Sequence, residues 1–230
     1  VRATFGDYAE VPAGPVPSLS WIRDPATRPL PFDSARARAL LDSRGWKDHN
    51  GDGTLDRDGV PLALDLNYPA TSAVRVQLAL QAQEQYRRIG VQINLVALDG
   101  PAWLERRNRH DFDIDASSAG LDPSPSGLVQ SWSCEGLDGS NVGGFCDPAV
   151  DSLLAQATLA RAAQAAIWRR AIARLEDDAP AAFLYAPTYA FGVHRRYANV
   201  NIRPEGWWSA LAEWSVTPGR QGPRDGARAP

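Results

Sequence analysis

The chain has 230 residues, 44% of them hydrophobic, with a formal net charge of -3 and a pI near 5.6. That apolar share is enough to bury a core, and weak acidity without any Lys/Arg block excludes the positive footprint of a nucleic-acid binder. No apolar run reaches the 18 residues of a membrane helix, no signal-peptide pattern opens the chain and no methionine occurs, so the sequence reads as a fragment or processed piece.

In chain order, residues 1–31 are proline-dense around Val11-Pro12-Ala13-Gly14-Pro15-Val16-Pro17, which excludes helix and predicts an extended hinge or connector. Asp33 is placed to cap a short helix with Ala37, Leu40 and Leu41 on one face, Gly45 at its left-handed end and Trp46 as an anchor after it. Asp48, Asn50, Asp52, Gly53 and Asp56 then occupy positions 1, 3, 5, 6 and 9 of a calcium loop, but position 12 is Gly59 and supplies no bidentate carboxylate. The loop is read as a solvated turn, with a calcium site as the alternative.

Leu62, Leu64 and Leu66 alternate with Ala63, Asp65 and Asn67, the period of a half-buried strand. A helix follows over Ser72 to Ile89, its stripe expected at Val74, Leu78, Ala82, Tyr86 and Ile89, and Gly90 stops it. Val91, Ile93 and Leu95 resume the alternation, so strand, helix and strand with short joints predict a βαβ crossover and a parallel pair. A short helix over Pro101 to Arg107 and a third strand over Phe112 to Ala116 complete an α/β reading.

The loop from Ser117 to Pro125 follows that third strand, and irregular backbone beyond a strand of an α/β sheet is where ligands settle. Asp122 is its candidate contact, and Asn67-Tyr68 at the end of the first strand is another, each weighed against an ordinary turn or packing role. Cys134 and Cys146 flank a Gly-, Asp-, Ser- and Asn-rich stretch flexible enough for the thiols to meet, which predicts a disulfide of an oxidising compartment, with two separate buried thiols as the alternative.

Asp147-Pro148 opens a helix with Val150, Leu153, Leu154 and Ala157 on one face, and a second carries Ile167, Trp168, Ala171, Ile172 and Leu175 before Pro180. Arg169, Arg170 and Arg174 are read as its solvated face. Ala182 to Tyr185 and Tyr189 to Val193 read as strands, Trp207, Trp208 and Trp214 as docking residues, and the polar 218–230 as a disordered tail. His49, His110 and His194 are scattered, with no metal-type spacing, nucleophile elbow or phosphate loop, and His110-Asp111 is read as an exposed turn pair. Asp177 and Asp178 are adjacent, so on a helix they point apart and make a poor acid/base couple.

Three ordered stretches resemble the bacterial extracellular solute-binding proteins of family 5, the oligopeptide, dipeptide and nickel type that serves ABC importers. The first runs from Leu30-Pro31-Phe32-Asp33 through Gly45-Trp46 and Asn50-Gly51-Asp52-Gly53 to Asp58-Gly59-Val60-Pro61-Leu62. The second is Ala82 to Ile89-Gly90-Val91, and the third Ser140-Asn141, Gly144-Phe145 and Asp147-Pro148-Ala149-Val150-Asp151-Ser152-Leu153-Leu154, followed by Asp177-Asp178-Ala179-Pro180. The resemblance implies an α/β, periplasmic-binding-protein-like fold of class II (cluster C). In it, 1–31 is the connector, 32–193 is lobe II, 194–217 returns toward a lobe I whose N-terminal half is missing, and 218–230 is the tail. It further implies a monomeric, extracytoplasmic, non-catalytic binder without cofactor, lipid-anchored in its full form, that closes two lobes over a peptide or other small solute and delivers it to permease subunits.

By that similarity Trp132 and Asn141 line the cleft, an indole to pack on ligand and an amide to bind its backbone, while the aromatic residue expected before Asp122-Pro123 is replaced by serines and alanines. A hydrolase would need a nucleophile and base that the sequence does not display, and a calcium-stabilised secreted domain would need the loop at Asp48 to close on a cation.

Overall fold

A computed structural model describes residues 5–16, 18–118, 124–203 and 206–222. The chain enters through a two-residue strand β1 (Ala9–Glu10) and reaches helix α1 (Ser34–Ser43), whose start is set by Asp33 accepting from the Arg36 amide and whose chain reverses at Gly45 with φ +85°. A hairpin of β2 (Asp56–Arg57) and β3 (Val60–Pro61) follows, and the Arg57 guanidinium lies 4.5 Å over the Trp46 ring.

The structural centre is the unit predicted from periodicity. Strand β4 (Ala63–Pro69), helix α2 (Ala73–Arg87) and strand β5 (Gln92–Leu98) are joined by short turns, and β4 and β5 pair in parallel from Ala63 opposite Gln92 to Pro69 opposite Leu98. Helix α3 (Gly100–Asn108), capped by Asp99, leads to β6 (Ile114–Asp115), which pairs in parallel on the other side of β4. The order β5-β4-β6 leaves β4 central, and Leu66 to Pro69 are all buried, as expected of a parallel strand covered on both faces. Gly90 makes the turn into β5 at φ +81°, and a Cβ there would stand 2.8 Å from the Leu55 side chain, so no other residue fits without displacement.

The face that helix α2 turns to this sheet shares Ala82, and Ile89 just past its end, with the expected stripe but is not centred on Val74, Leu78 and Tyr86. Ala79 is its buried residue, Val76 and Ala82 pack beside it, and Gln83 donates to the Ile93 carbonyl at 2.8 Å, while Tyr86 is exposed. Alanine lets the helix approach the sheet closely, and the glutamine pairs a strand carbonyl, so a small and a polar residue take the place that bulk alone would assign to tyrosine.

The second core is helical. Helix α4 (Ser126–Trp132), α5 (Pro148–Leu159) and α6 (Gln164–Asp178) enclose Leu128, Val150, Leu154, Ala157, Trp168, Ala171, Ile172 and Leu175, the α5 and α6 stripes predicted from sequence. Val16 and Ile22 of the proline-rich segment are buried in the same cluster, and Arg169 donates to the Ile22 and Trp21 carbonyls, so that segment is packed on α6.

Two expected strands do not form. Residues 182–185 and 189–193 are irregular, and between them β7 (Ala186–Pro187) pairs antiparallel with β1. A strand needs a neighbour's amides and carbonyls; among the described residues the segment alongside is Ala9–Glu10, which supplies two positions. The chain then makes a small ribbon of β8 (Tyr197–Ala198) and β9 (Ser215–Val216), on which Tyr197, Trp207 and Trp214 cluster at ring distances of 5.9 to 6.4 Å. Most of the expected tail, 223–230, and the loop 119–123 lie outside the described residues.

Candidate functional site

The C-terminal ends of β4 and β6 and the first turns of α2 and α3 come together at one edge of the parallel sheet, where α/β proteins bind ligands. Asp115 on β6 is its hub. Its side chain is 5% exposed; one oxygen accepts from the Trp103 indole N–H at 2.7 Å, and the other lies 3.5 Å from Arg107 Nε without a hydrogen bond. Burial pushes the Asp115 carboxyl above its ordinary range, against the lowering pull of the Trp103 N–H and the Arg107 charge.

The guanidinium groups of Arg75 and Arg107 both sit over the Trp103 ring, at 5.7 and 5.5 Å. Arg75 also donates to the Ser118 hydroxyl at 2.6 Å, linking α2 to the chain that leaves β6. Beside them Asn67 is fully buried, its Nδ2 donating to the Asp111 carbonyl and its Oδ1 unpartnered. This edge therefore holds two arginines, a buried carboxylate, an indole and orphaned polar atoms, an arrangement suited to recognising a polar solute.

The predicted site residues distribute differently. Tyr68 is buried in the sheet core, on the strand adjoining this edge. Asp122 lies outside the described residues. Trp132 packs edge-on against Phe145 at 6.5 Å and Phe183 at 5.9 Å, beside the helical core. Asn141 is 1% exposed, and its Nδ2 donates to the Ser133 carbonyl at 2.9 Å and the Phe145 carbonyl at 2.6 Å. Its amide thus holds the segment spanned by the Cys134–Cys146 disulfide, whose first amide donates to Asp151 and whose Val142 carbonyl meets His110 Nδ1 at 2.9 Å.

In the acidic loop the carboxylates turn onto their own backbone. Asp48 accepts from the amides of Gly51 and Gly53, Asp52 from that of Thr54, and Asp56 from His49 N and against His49 Nδ1 at 2.8 Å. Asn50 accepts from Asp52 N and donates to Asp52 Oδ2, and the Thr54 amide and the Asn50 amide group hold Asp52 below the usual carboxylate range. These carboxylates are thus engaged by donors of their own loop, and among the described residues no group of three or more His, Cys, Asp or Glu is placed to hold a metal ion.

Sequence reading missed Arg75, Trp103, Arg107 and Asp115. A signal was present: Asp113 and Asp115 alternate with Phe112, Ile114 and Ala116, and Trp103 and Arg107 are four apart on one face of α3, but nothing local shows that the strand and the helix meet.

The model for "Bacterial extracellular solute-binding proteins, family 5 Middle" matches residues 1–139. The oligopeptide-binding protein AppA of Bacillus subtilis (strain 168) is 26% identical over 216 residues, covering 89% of this chain and 40% of that protein. The solved structure of AppA from Bacillus subtilis with a nonapeptide superposes with a TM-score of 0.78 at 23% identity, over 91% of this chain and 43% of that one. NikZ from Campylobacter jejuni with Ni(L-His) gives 0.74 at 23% identity, over 91% and 44%. The fold is thus that of periplasmic binding proteins of this family, and the chain spans less than half the length of the relatives it matches.

Proposed function

The chain belongs to the bacterial extracellular solute-binding proteins of family 5, and from that premise we propose that it forms the second lobe of a two-lobed protein that captures a small solute. The captured solute is a peptide or a similar chelating molecule, held at the C-terminal edge of the β5-β4-β6 sheet and covered by a first lobe. The protein works outside the cytoplasm, carries out no turnover and hands its cargo to the permease of an ABC importer.

The observation that carries the reading is the polar edge at Arg75, Trp103, Asn67 and Asp115, standing where a parallel sheet presents its ligand face. The likeness to a binding protein solved with a nonapeptide supports the peptide class, and the likeness to one solved with Ni(L-His) supports amino-acid chelates as the second class. The pairing of β1 with β7 supports residues 1–31 and the chain beyond residue 193 as the crossings between lobes, because it ties the entering strand to the end of the helical core.

Closure over a ligand excludes water and strengthens its polar contacts, so the complete protein will show a ligand-induced rise in melting temperature and a fall in radius of gyration. Calorimetry and small-angle scattering across di- to nonapeptides and histidine–nickel complexes test this. Absence of both effects with every ligand would overturn it.

A further inference from the structure

We propose that Glu176 is a proton-operated latch on the proline-rich connector: neutral, it seats Gly14 on α6, and ionised, it lets that segment lift. The part the latch plays in moving the lobes rests on the reading above, in which residues 1–31 cross between them. Four connector residues in succession, Ala13 to Val16, are buried. Gly14 sits at φ +102°, and a Cβ there would run into Glu176 Oε1 and stand 3.3 Å from Ile172 Cγ2. The carboxyl is thus pressed against the connector backbone at a position where glycine alone leaves room for it.

The surroundings do not favour a charge. Glu176 Oε1 is buried and has no hydrogen-bond partner among the described residues. Burial first, and the neighbouring Asp177 charge second, push the carboxyl above its ordinary range. The cations of the same helix are engaged elsewhere or exposed: Arg174 pairs with Asp147 and Asp178, Arg169 donates to the Ile22 and Trp21 carbonyls, and Arg170 is exposed. The connector carries no charged residue from 11 to 22, α4 carries none, and Asp151, the charged residue of α5, accepts from the Cys134 amide. A neutral carboxyl tolerates this seat, and its O–H can donate to a connector carbonyl. A carboxylate without a donor is costly to bury, and it regains water by parting from Gly14. The seated form therefore binds the proton more tightly than the lifted one. Seating is complete at and below the ordinary glutamate range and weakens as pH rises through the raised value, so the connector is stiffest in acid and freer toward neutral pH.

Hydrogen exchange read by mass spectrometry on the complete protein, without ligand, tests this between pH 5 and 7.5. Rates are corrected for intrinsic exchange, and residues 150–157 of α5 serve as the internal reference. In wild type the protection of residues 11–22 is expected to fall at least about threefold across that range. Glu176→Gln, neutral at every pH, should hold the acid-level protection throughout, and Glu176→Ala should give a flat profile at lower protection because it leaves a void under Gly14. Four outcomes overturn the latch: a flat wild-type profile, a Glu176→Gln profile that falls as wild type does, one that is flat at the neutral-pH level, or an equal fall in the α5 reference. Each of them leaves the solute-binding reading standing, since no solute is present. Failure of that reading in calorimetry and scattering would remove the latch from lobe movement, while the exchange profiles would still decide whether Glu176 holds the connector.

Discussion

Asp115 and Glu84 respond to pH in opposite senses. Burial raises the folded-state pKa of Asp115, so the folded chain holds this proton longer than the unfolded one, and stability falls as pH rises through the raised value. Urea midpoints measured from pH 3.5 to 7 should therefore decline less with rising pH in Asp115→Asn than in wild type; superimposable profiles would mean that burial does not penalise this charge. Glu84 is exposed, and hydrogen bonds from Arg87 and Arg88 lower it to about 2. Its contribution is complete above the unfolded carboxylate value and is lost as pH falls toward about 2, an effect that salt will screen. A third residue tests packing rather than charge. Asn141→Ala removes both hydrogen bonds to the Ser133 and Phe145 carbonyls, and although Ser133 keeps the Gly136 amide as a donor, the loss should cost roughly 1–3 kcal/mol in denaturant unfolding. A change below about 0.5 kcal/mol would show that the amide does not hold the segment.

Helix α2 separates what local sequence states from what packing decides. Its start at Ser72, which accepts from the Arg75 amide, and its stop at Gly90 were legible because a cap and a left-handed turn are local chemistry. So were the alternating strands on either side and the stripes of α5 and α6, where large apolar residues recur at helical spacing. The buried face of α2 was legible only in part: Ala82 and Ile89 of the expected stripe do pack on the sheet, but Ala79 and Gln83 carry little hydrophobic signal and Tyr86 carries much. Ala79→Leu should then destabilise by roughly 1–3 kcal/mol through overpacking against β4 and β5, while Tyr86→Ala stays within about 0.5 kcal/mol. The reverse order of effects would restore the face expected from periodicity. The strands expected at 182–185 and 189–193 were illegible for a different reason: alternation reports a half-buried surface, and only a partner makes it a strand. The polar edge was illegible too, since Asp115 and Trp103 are 12 residues apart and meet only after β6 docks on β4. The Cys134–Cys146 bridge spans the same separation and was readable because the chain has two cysteines, so only one intrachain pairing is open to them. Replacing both cysteines by alanine should lower stability by about 3 kcal/mol in the chain-entropy model and the melting temperature by about 6–12 °C.

At the scale of the whole molecule, the two cores leave aromatic side chains uncovered on the segments outside them. Tyr189 is 75% exposed and Trp208 61% exposed, with Trp207, Phe191 and Tyr8 also open, whereas Trp168 in the helical core is almost wholly enclosed. These exposed residues belong to the segments flanking the β1–β7 pair and to the β8–β9 ribbon, the parts proposed to cross between lobes. Exposed aromatic pairs such as Tyr189–Phe191 and Trp207–Trp208 are candidates for association, and a first lobe seated on them would remove that surface from water at roughly 25 cal/mol per Å². If so, Trp207 and Trp208 will be open to acrylamide quenching in the 230-residue chain and protected in the complete protein. The double substitution Trp207→Phe, Trp208→Phe isolates their share, because it should reduce the difference in quenching between the two proteins while leaving the enclosed Trp168 signal unchanged. Equal quenching of the two tryptophans in both proteins would place the first lobe elsewhere and leave these aromatic side chains for another partner. The same substitutions should also reduce binding of a hydrophobic dye to the 230-residue chain and leave it unchanged in the complete protein, because the dye would report the surface that the proposed first lobe covers.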